Sequence, residues 1–171
     1  DGVLIAILDT GVDTDHPDLA GKLVLDDAWD FVNDDDDPED DHGHGTAMVA
    51  LAAARTDNGV GMAGTCWDCP VLPVKIFDED GVGTFSAMAD GLVWACDHGA
   101  RVVNVSGGDP ASPEILESAL SYCVDAGVII TAFAWPHSGF SVHNTVHADP
   151  QAPEEMARLC RYLLHPPISL E

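Results

Sequence analysis

The feature that most constrains the fold is a set of short runs that are apolar at almost every position. The first run, VLIAIL at residues 3–8, is followed directly by Asp9-Thr10-Gly11. A strand that is apolar on both faces is typical of a parallel sheet covered by helices, because an antiparallel sheet usually exposes one face to water. We expect further strands at 71–77, 101–105 and 128–133.

Helical segments alternate with these strands. We expect helices at 44–54, 86–98 and 113–126, the second ending at Gly99 and the third at Gly127, since glycine commonly closes a helix. Residues 26–41 are strongly acidic and are predicted to form a loop. Alternation of strands and helices with short links predicts an α/β fold with three layers, in which a mainly parallel sheet carries helices on both faces.

The alternation stops after Ala134. Residues 135–152 show no strand or helix pattern, and residues 153–164 (PEEMARLCRYLL) form one amphipathic segment that begins with proline. We therefore expect an incomplete α/β domain at 1–134, followed by a C-terminal tail at 135–171 with a single helix at 153–164.

Two polar residues are predicted to meet at one edge of the sheet. Asp9 follows the first strand, and His44 begins a helix within Gly43-His44-Gly45-Thr46. Open parallel sheets place their sites at the carboxyl ends of the strands. A carboxylate that accepts a hydrogen bond from imidazole Nδ1 fixes the tautomer and leaves Nε2 free to take a proton from a nucleophile. Either residue alone is common in turns, so the prediction depends on both together.

These two motifs resemble those of the subtilisin-like serine proteases, the subtilases. DTGVDTDHPDLAG and DDHGHGTAMVALAAA match the family's D-T-G-[IV] and G-H-G-T-x-V-A motifs, and the likeness continues to AGVIITAFA at residues 126–134. The resemblance implies peptide-bond hydrolysis in which Asp9 and His44 are catalytic. It also implies that the substrate is bound by Gly81, Gly83, Ser106, Gly107 and Gly108.

The sequence departs from the family at residue 135. Where the family has A-A-G-N, this chain has Phe-Ala-Trp135-Pro136, so the asparagine of the oxyanion hole is missing, and no G-T-S-M-A serine motif follows. Losing one oxyanion donor costs about 10²–10³ in rate. Ser86 and Ser138 are the alternative nucleophiles. The interpretation is a serine endopeptidase or its truncated remnant; the alternative is a non-catalytic protein of the same fold that binds calcium or forms oligomers.

The acidic loop is a candidate calcium site. Some subtilases bind calcium after D-F-V, which implies the ligands Asp30, Asn33, Asp35, Asp37 and Glu39. Calcium takes six to eight oxygen ligands, and closely spaced carboxylates repel one another unless a cation neutralises them. The alternative is a solvated acidic loop. A zinc site at His42 and His44 with histidines of the tail is the less favoured interpretation of His44.

Charge excludes several classes of partner. Thirty acidic residues against six basic ones give a formal net charge of −24, which repels nucleic acids and anionic membranes. The tail at 138–170 resembles a fragment from the C-terminus of bacterial transposases, yet this charge argues against nucleic-acid binding. No apolar run approaches the roughly 20 residues that span a bilayer. We expect peptide or protein substrates, and a homo-oligomer that covers the truncated sheet edge.

The cysteines bear on location and pairing. There are five cysteines, so at least one is unpaired, and Cys66 and Cys69 form a C-x-x-C motif. One such pair provides too few ligands for a structural zinc site, and we expect either a local disulfide or two free thiols. The family resemblance implies a secreted protein, although the sequence shows no targeting segment.

Overall fold

Five parallel strands form one sheet in the computed structural model, which describes residues 2–107 and 114–132. The strands lie in the order β2-β3-β1-β4-β5, with β1 at the centre. The strands are β1 (Ile5–Asp9), β2 (Trp29–Asp30), β3 (Val71–Lys75), β4 (Val102–Val105) and β5 (Ile129–Ala132). The helices are α1 (His44–Ala53), α2 (Phe85–Asp97) and α3 (Glu114–Asp125), with a 3-10 turn at Pro17–Leu19.

Alternate residues of the central strand enter two separate cores. Ile7 packs in a cluster with Val49 of α1, whereas Ala6 and Leu8 pack in a larger cluster with Leu92 of α2. All of these side chains are buried, and successive residues of a strand point to opposite faces of the sheet. The sheet therefore separates α1 on one side from α2 and α3 on the other, and the prediction of a three-layer α/β fold is confirmed.

One strand was not predicted. The acidic segment 26–41, predicted to be entirely loop, contains the short strand β2, which pairs with Val74 and Lys75 at the edge of the sheet. Its Trp29 ring packs against Trp94 of α2 with centroids 5.2 Å apart, and Phe31 lies edge-on to the same ring. Aromatic packing thus orders a segment whose surrounding carboxylates had suggested only a loop.

Helix α2 shows how local sequence sets its ends. It begins one residue earlier than predicted because Thr84 is its N-cap, with Oγ1 accepting a hydrogen bond from Ala87 N. It ends near Gly99, whose φ of 83° lies in the left-handed region that favours glycine. The predicted glycine at this end is therefore explained by backbone conformation.

Two disulfides are formed. Cys66 and Cys69 are bonded within one turn, which decides between the two alternatives for this motif. Cys96 and Cys123 join α2 to α3, a pairing the sequence did not predict. Cys160 lies outside the described residues.

The tail at 135–171 also lies outside the described residues. The domain boundary at residue 134, the helix at 153–164 and the transposase resemblance therefore stay predictions. In the part of the chain that the structure describes, no helix is both long and apolar enough to cross a membrane.

Candidate active site

Asp9 lies at the carboxyl end of the central strand. It is the last residue of β1, between β3 and β4, and its side chain is fully buried. Oδ1 accepts a hydrogen bond of 2.8 Å from Thr10 N. Neither Asp9 oxygen is exposed, so this carboxylate is held in a fixed orientation by the end of the sheet.

His44 meets Asp9 from the first turn of α1. The Nδ1 atom of His44 is 2.7 Å from Oδ1 of Asp9. A carboxylate only accepts hydrogen bonds, so Nδ1 carries the proton and Nε2 is left as an acceptor. The His44 side chain is 39% exposed while that of Asp9 is 0% exposed. One face of the pair is therefore buried and the other opens to a cleft.

Burial dominates the electrostatics of the pair. Burial raises the pKa of the Asp9 carboxyl, and the hydrogen bonds from His44 and Thr10 N oppose that rise. Within residues 2–107 and 114–132, no donor reaches Oδ2 of Asp9. A buried acceptor without a partner is costly, so the ionised carboxylate depends strongly on His44.

Two glycines allow backbone segments to pack closely at the site. A Cβ atom at Gly45 would lie 2.1 Å from the carbonyl oxygen of Gly11, and one at Gly11 would lie 2.4 Å from that of Pro38. Both neighbours are backbone atoms, which cannot move aside as a flexible side chain can. The first turn of α1 therefore packs directly onto the Asp9-Thr10-Gly11 turn.

Two further residues, which sequence reasoning missed, connect the motifs. The Asp40 carboxylate contacts Thr10 and Thr46, one from each motif. The Lys75 side chain is 1% exposed and donates from Nζ to Thr10 O (2.6 Å) and Asp41 Oδ1 (2.7 Å). Asp40 and Asp41, the carboxylates in these contacts, are two of many acidic residues in the sequence. Only their partners in the fold distinguish them from the others.

A cleft of about 740 Å³ opens beside His44. Four of the five predicted substrate-binding residues line it, and the fifth, Gly108, lies outside the described residues. The lining includes His42, His44, Phe77, Asp80, Gly81, Gly83, Met88, Ser106 and Gly107. His44 and these four predicted residues therefore lie on one surface, at the carboxyl ends of the strands.

Of the two serines predicted as alternative nucleophiles, the structure describes only Ser86. Ser86 lies in the first turn of α2, exposed, with Oγ 3.5 Å from Asp90 Oδ2. Ser138 lies outside the described residues. Among the side chains that the structure describes, no serine hydroxyl is hydrogen-bonded to His44.

The predicted calcium ligands do not converge. Asp30 accepts hydrogen bonds from Val32 N and from the Asn33 backbone and side-chain amides, while Glu39 accepts from Thr14. Asp35 accepts from Asp37 N. The described parts of the chain contain no group of three or more His, Cys, Asp or Glu side chains placed to hold a metal ion. As arranged here, the loop does not fit a bound calcium ion.

Comparison with known proteins gives a consistent assignment. The family model described as "Subtilase family" matches residues 1–142. Thermitase from Thermoactinomyces vulgaris is 43% identical over 133 residues, covering 78% of this chain and 47% of that protein. A thermophilic serine proteinase from Bacillus sp. (strain AK1) is 42% identical over 133 residues, covering 78% of this chain and 33% of that protein.

The fold agrees with that assignment. The crystal structure of a cold adapted subtilisin-like serine proteinase superposes with a TM-score of 0.65 at 27% identity, covering 77% of this chain and 45% of that chain. This chain therefore spans less than half the length of each of these relatives.

Proposed function

Because the chain belongs to the subtilase family, we propose that it carries the acid–base half of a serine endopeptidase site, in which His44 is the general base and Asp9 orients it. The observation that supports the proposal is the 2.7 Å contact between His44 Nδ1 and Asp9 Oδ1 at the wall of an open cleft. Family membership stands independently of this catalytic assignment.

The proposed chemistry is acyl transfer at a peptide bond. His44 Nε2 takes the proton from a serine hydroxyl as its oxygen attacks the peptide carbonyl carbon, and then gives that proton to the departing amine. The buried Asp9 carboxylate stabilises the imidazolium formed between these steps. We propose that the serine lies outside residues 2–107 and 114–132. Within those ranges Ser86 contacts Asp90, and Ser106 Oγ accepts a hydrogen bond from Asn104, so neither is bonded to His44.

The proposed substrate is an extended peptide in the cleft. Gly81, Gly83, Ser106 and Gly107 line the wall beside His44, and Gly108 completes the proposed set. Glycines leave room for a substrate backbone to lie close to the protein backbone. Phe77 and Met88 supply apolar lining, and Asp80 is the only carboxylate among the described lining residues. A protein or peptide with basic and apolar side chains fits this surface.

Hydrolysis of casein by the wild-type chain, measured beside His44→Ala, tests the proposed function. The proposal predicts measurable cleavage that falls by at least about 10³-fold in the variant. A fluorophosphonate probe, followed by mass spectrometry, would identify the serine that acts. Equal rates in the two proteins, with no labelled serine, would overturn the proposal and favour the alternative of a non-catalytic binding protein.

Calcium binding by the acidic loop is a second proposal. The segment from Asp30 to Glu39 has six carboxylates in ten residues, and binding requires the side chains to leave their present local hydrogen bonds. Calorimetric titration with CaCl₂ tests it, with Asp35→Asn expected to weaken binding and Asp78→Asn, in another loop, expected to have no effect. Absence of binding heat in the wild-type chain would leave a solvated acidic loop.

We also propose where the protein is located and how it assembles. Two disulfides within the described residues are typical of proteins from oxidising compartments, which supports an extracellular location. A homo-oligomer that covers a sheet edge stays a prediction, and light scattering of the purified chain would test it.

A further inference from the structure

We propose that Asp40 is a positioning residue that holds His44 in register with Asp9, and that Lys75 assists it from the opposite side of the same loop. The inference rests on the proposed role of His44 as a base, but it concerns how the fold fixes that side chain. The hydrogen bonds that support it lie outside the Asp9–His44 pair itself.

Asp40 accepts hydrogen bonds from both catalytic motifs. Oδ1 accepts from Thr10 Oγ1 at 2.8 Å, from Gly43 N at 2.8 Å and from His42 N at 3.1 Å. Oδ2 accepts from Thr46 N at 2.9 Å and from Thr46 Oγ1 at 2.5 Å. One carboxylate thus joins the residue after Asp9 to residues on both sides of His44.

These hydrogen bonds replace a missing helix cap. The first backbone N–H groups of a helix have no partner within it, and the N-cap residue of α1 is Gly43, which has no side chain to accept from them. Asp40 accepts from Thr46 N, and Thr10 Oγ1 accepts from Gly45 N at 2.9 Å. The start of α1 is therefore capped by the two residues that also tie it to β1.

Lys75 fixes the same loop from the sheet. Its Nζ donates to the carbonyl oxygen of Thr10 and to Asp41 Oδ1, and it lies beside Asp9 in the β1–β3 pairing. A buried cation is stable only when it is paired and hydrogen-bonded. Thr10 is consequently held through its hydroxyl by Asp40 and through its carbonyl by Lys75, which leaves the Asp9 turn little freedom to move.

The expected consequence concerns the tautomer of His44. If the loop or the start of α1 moves by a fraction of an ångström, the hydrogen bond from His44 Nδ1 to Asp9 lengthens and the neutral ring can carry its proton on Nε2. A ring in that tautomer cannot accept a proton at Nε2, so positioning by Asp40 decides whether His44 can act as a base.

Long-range ¹H–¹⁵N correlation NMR of the full ¹⁵N-histidine-labelled chain measures this tautomer directly. At about pH 8, where an ordinary imidazole is neutral, the wild type is expected to hold His44 mainly protonated on Nδ1. Asp40→Ala is expected to reduce that fraction about twofold or more. Asp40→Asn keeps one acceptor oxygen and is expected to give an intermediate value.

A matched control separates positioning from general destabilisation. Asp18 is also buried, and its carboxylate also accepts from distant partners, Asn58 Nδ2 and Met62 N, neither of which belongs to either motif. Asp18→Asn is expected to lower the melting temperature while leaving the His44 tautomer unchanged. If Asp40→Ala does not fold, Thr10→Val removes two hydrogen bonds, the one that Thr10 Oγ1 donates to Asp40 and the one that it accepts from Gly45 N. It is expected to shift the tautomer in the same direction.

The outcomes distinguish this inference from the proposed function. A wild-type chain with His44 protonated mainly on Nε2 would contradict the role of Asp9 itself. The wild type could show the expected tautomer while Asp40→Ala or Thr10→Val leaves that tautomer unchanged. That result would overturn the positioning role of Asp40 but not the role of Asp9. A tautomer shift of the same size in Asp18→Asn would also overturn the positioning role.

Discussion

At the scale of single residues, the proposed chemistry depends on close packing between two short turns. Gly45 has no room for a side chain, because a Cβ atom would lie 2.1 Å from Gly11 O. Gly91 in α2 is also enclosed, yet its nearest neighbour would be Ile76 Cγ2 at 2.9 Å, a side-chain atom that can shift. The two sites therefore give a matched comparison.

Gly45→Ala is expected to reduce the free energy of unfolding by about 1–3 kcal/mol, as overpacking against backbone does. Gly91→Ala is expected to cost less, because the higher helix propensity of alanine offsets part of the crowding. Urea unfolding of both variants measures the difference. A Gly45→Ala variant as stable as the wild type would show that the two turns are not held at this distance.

Asp40 gives the chain a specific sensitivity to acid. Burial acts to raise the pKa of Asp40, but hydrogen bonds from Thr46, Gly43 and Thr10 lower it to about 2, against an ordinary value of 3.8. A lowered pKa stabilises the folded state above the unfolded-state value, and that contribution is lost as the pH falls through the folded-state value. The affected window therefore runs from about pH 4 down to about pH 2.

Unfolding free energies at several pH values, compared between wild type and Asp40→Asn, measure this contribution. The difference is expected to shrink by about 1 kcal/mol as the pH falls from 5 to 2, a figure reduced for solvent screening because Asp40 is partly exposed. Taking the difference removes the contribution of Asp18, whose pKa is also lowered, chiefly by its hydrogen bond from Asn58. If the difference in unfolding free energy between the two proteins stays constant from pH 5 to pH 2, the lowered pKa of Asp40 is contradicted.

The sequence predicted Asp9 and His44 but missed Asp40 and Lys75, for a physical reason. The first two stand in motifs in which the neighbouring residues are themselves distinctive. Asp40 is one of several adjacent acids, and Lys75 is a charge within an apolar strand. Their roles depend on partners 30 and 65 residues away along the chain. A pattern of neighbouring residues does not show which distant residues meet in the fold.

At the scale of elements, the sequence predicted what depends on a local pattern of apolar residues and missed what depends on packing between elements. Strand β1 was predicted from a continuous apolar run, and helix α2 was predicted from the helical spacing of its apolar residues. Strand β2 was missed because its order comes from Trp94, more than 60 residues further along. The disulfide between Cys96 and Cys123 was missed for the same reason, since it joins two separate helices.

The disulfide between Cys96 and Cys123 is expected to stabilise the chain more than the disulfide between Cys66 and Cys69. Replacing Cys96 and Cys123 by alanine should cost about 3.5 kcal/mol, because the bond closes a long loop in the unfolded chain. Replacing Cys66 and Cys69, which are separated by three positions, should cost about 2 kcal/mol. Thermal unfolding of the two double variants measures the order, and a larger loss for the Cys66 and Cys69 pair would contradict it.

At the scale of the whole molecule, the property that most affects stability is the net charge. A net charge of −24 destabilises a compact state through self-repulsion, and salt screens that repulsion. Of the four basic residues within the described ranges, Lys75 is buried, so few cations remain there to balance the acidic surface.

The melting temperature is therefore expected to rise by several degrees between about 20 mM and 500 mM NaCl, where the screening length shortens below about 5 Å. The double variant Asp34→Asn/Asp36→Asn, at two exposed positions, is expected to show a smaller rise. Measurements in the presence of EDTA exclude bound calcium as the cause. A melting temperature that falls with salt would contradict this account of the charge.

The tautomer of His44 tests the central claim most directly, because it reports the Asp9–His44 pair without requiring the serine. Long-range ¹H–¹⁵N NMR of the wild-type chain at about pH 8, with the His44 signals assigned by their loss in His44→Ala, should show the proton on Nδ1. Asp9→Asn should move it to Nε2, since the amide can donate to Nδ1. A wild-type ring protonated on Nε2, or a tautomer unaffected by Asp9→Asn, would contradict the proposal that Asp9 prepares His44 to act as a base.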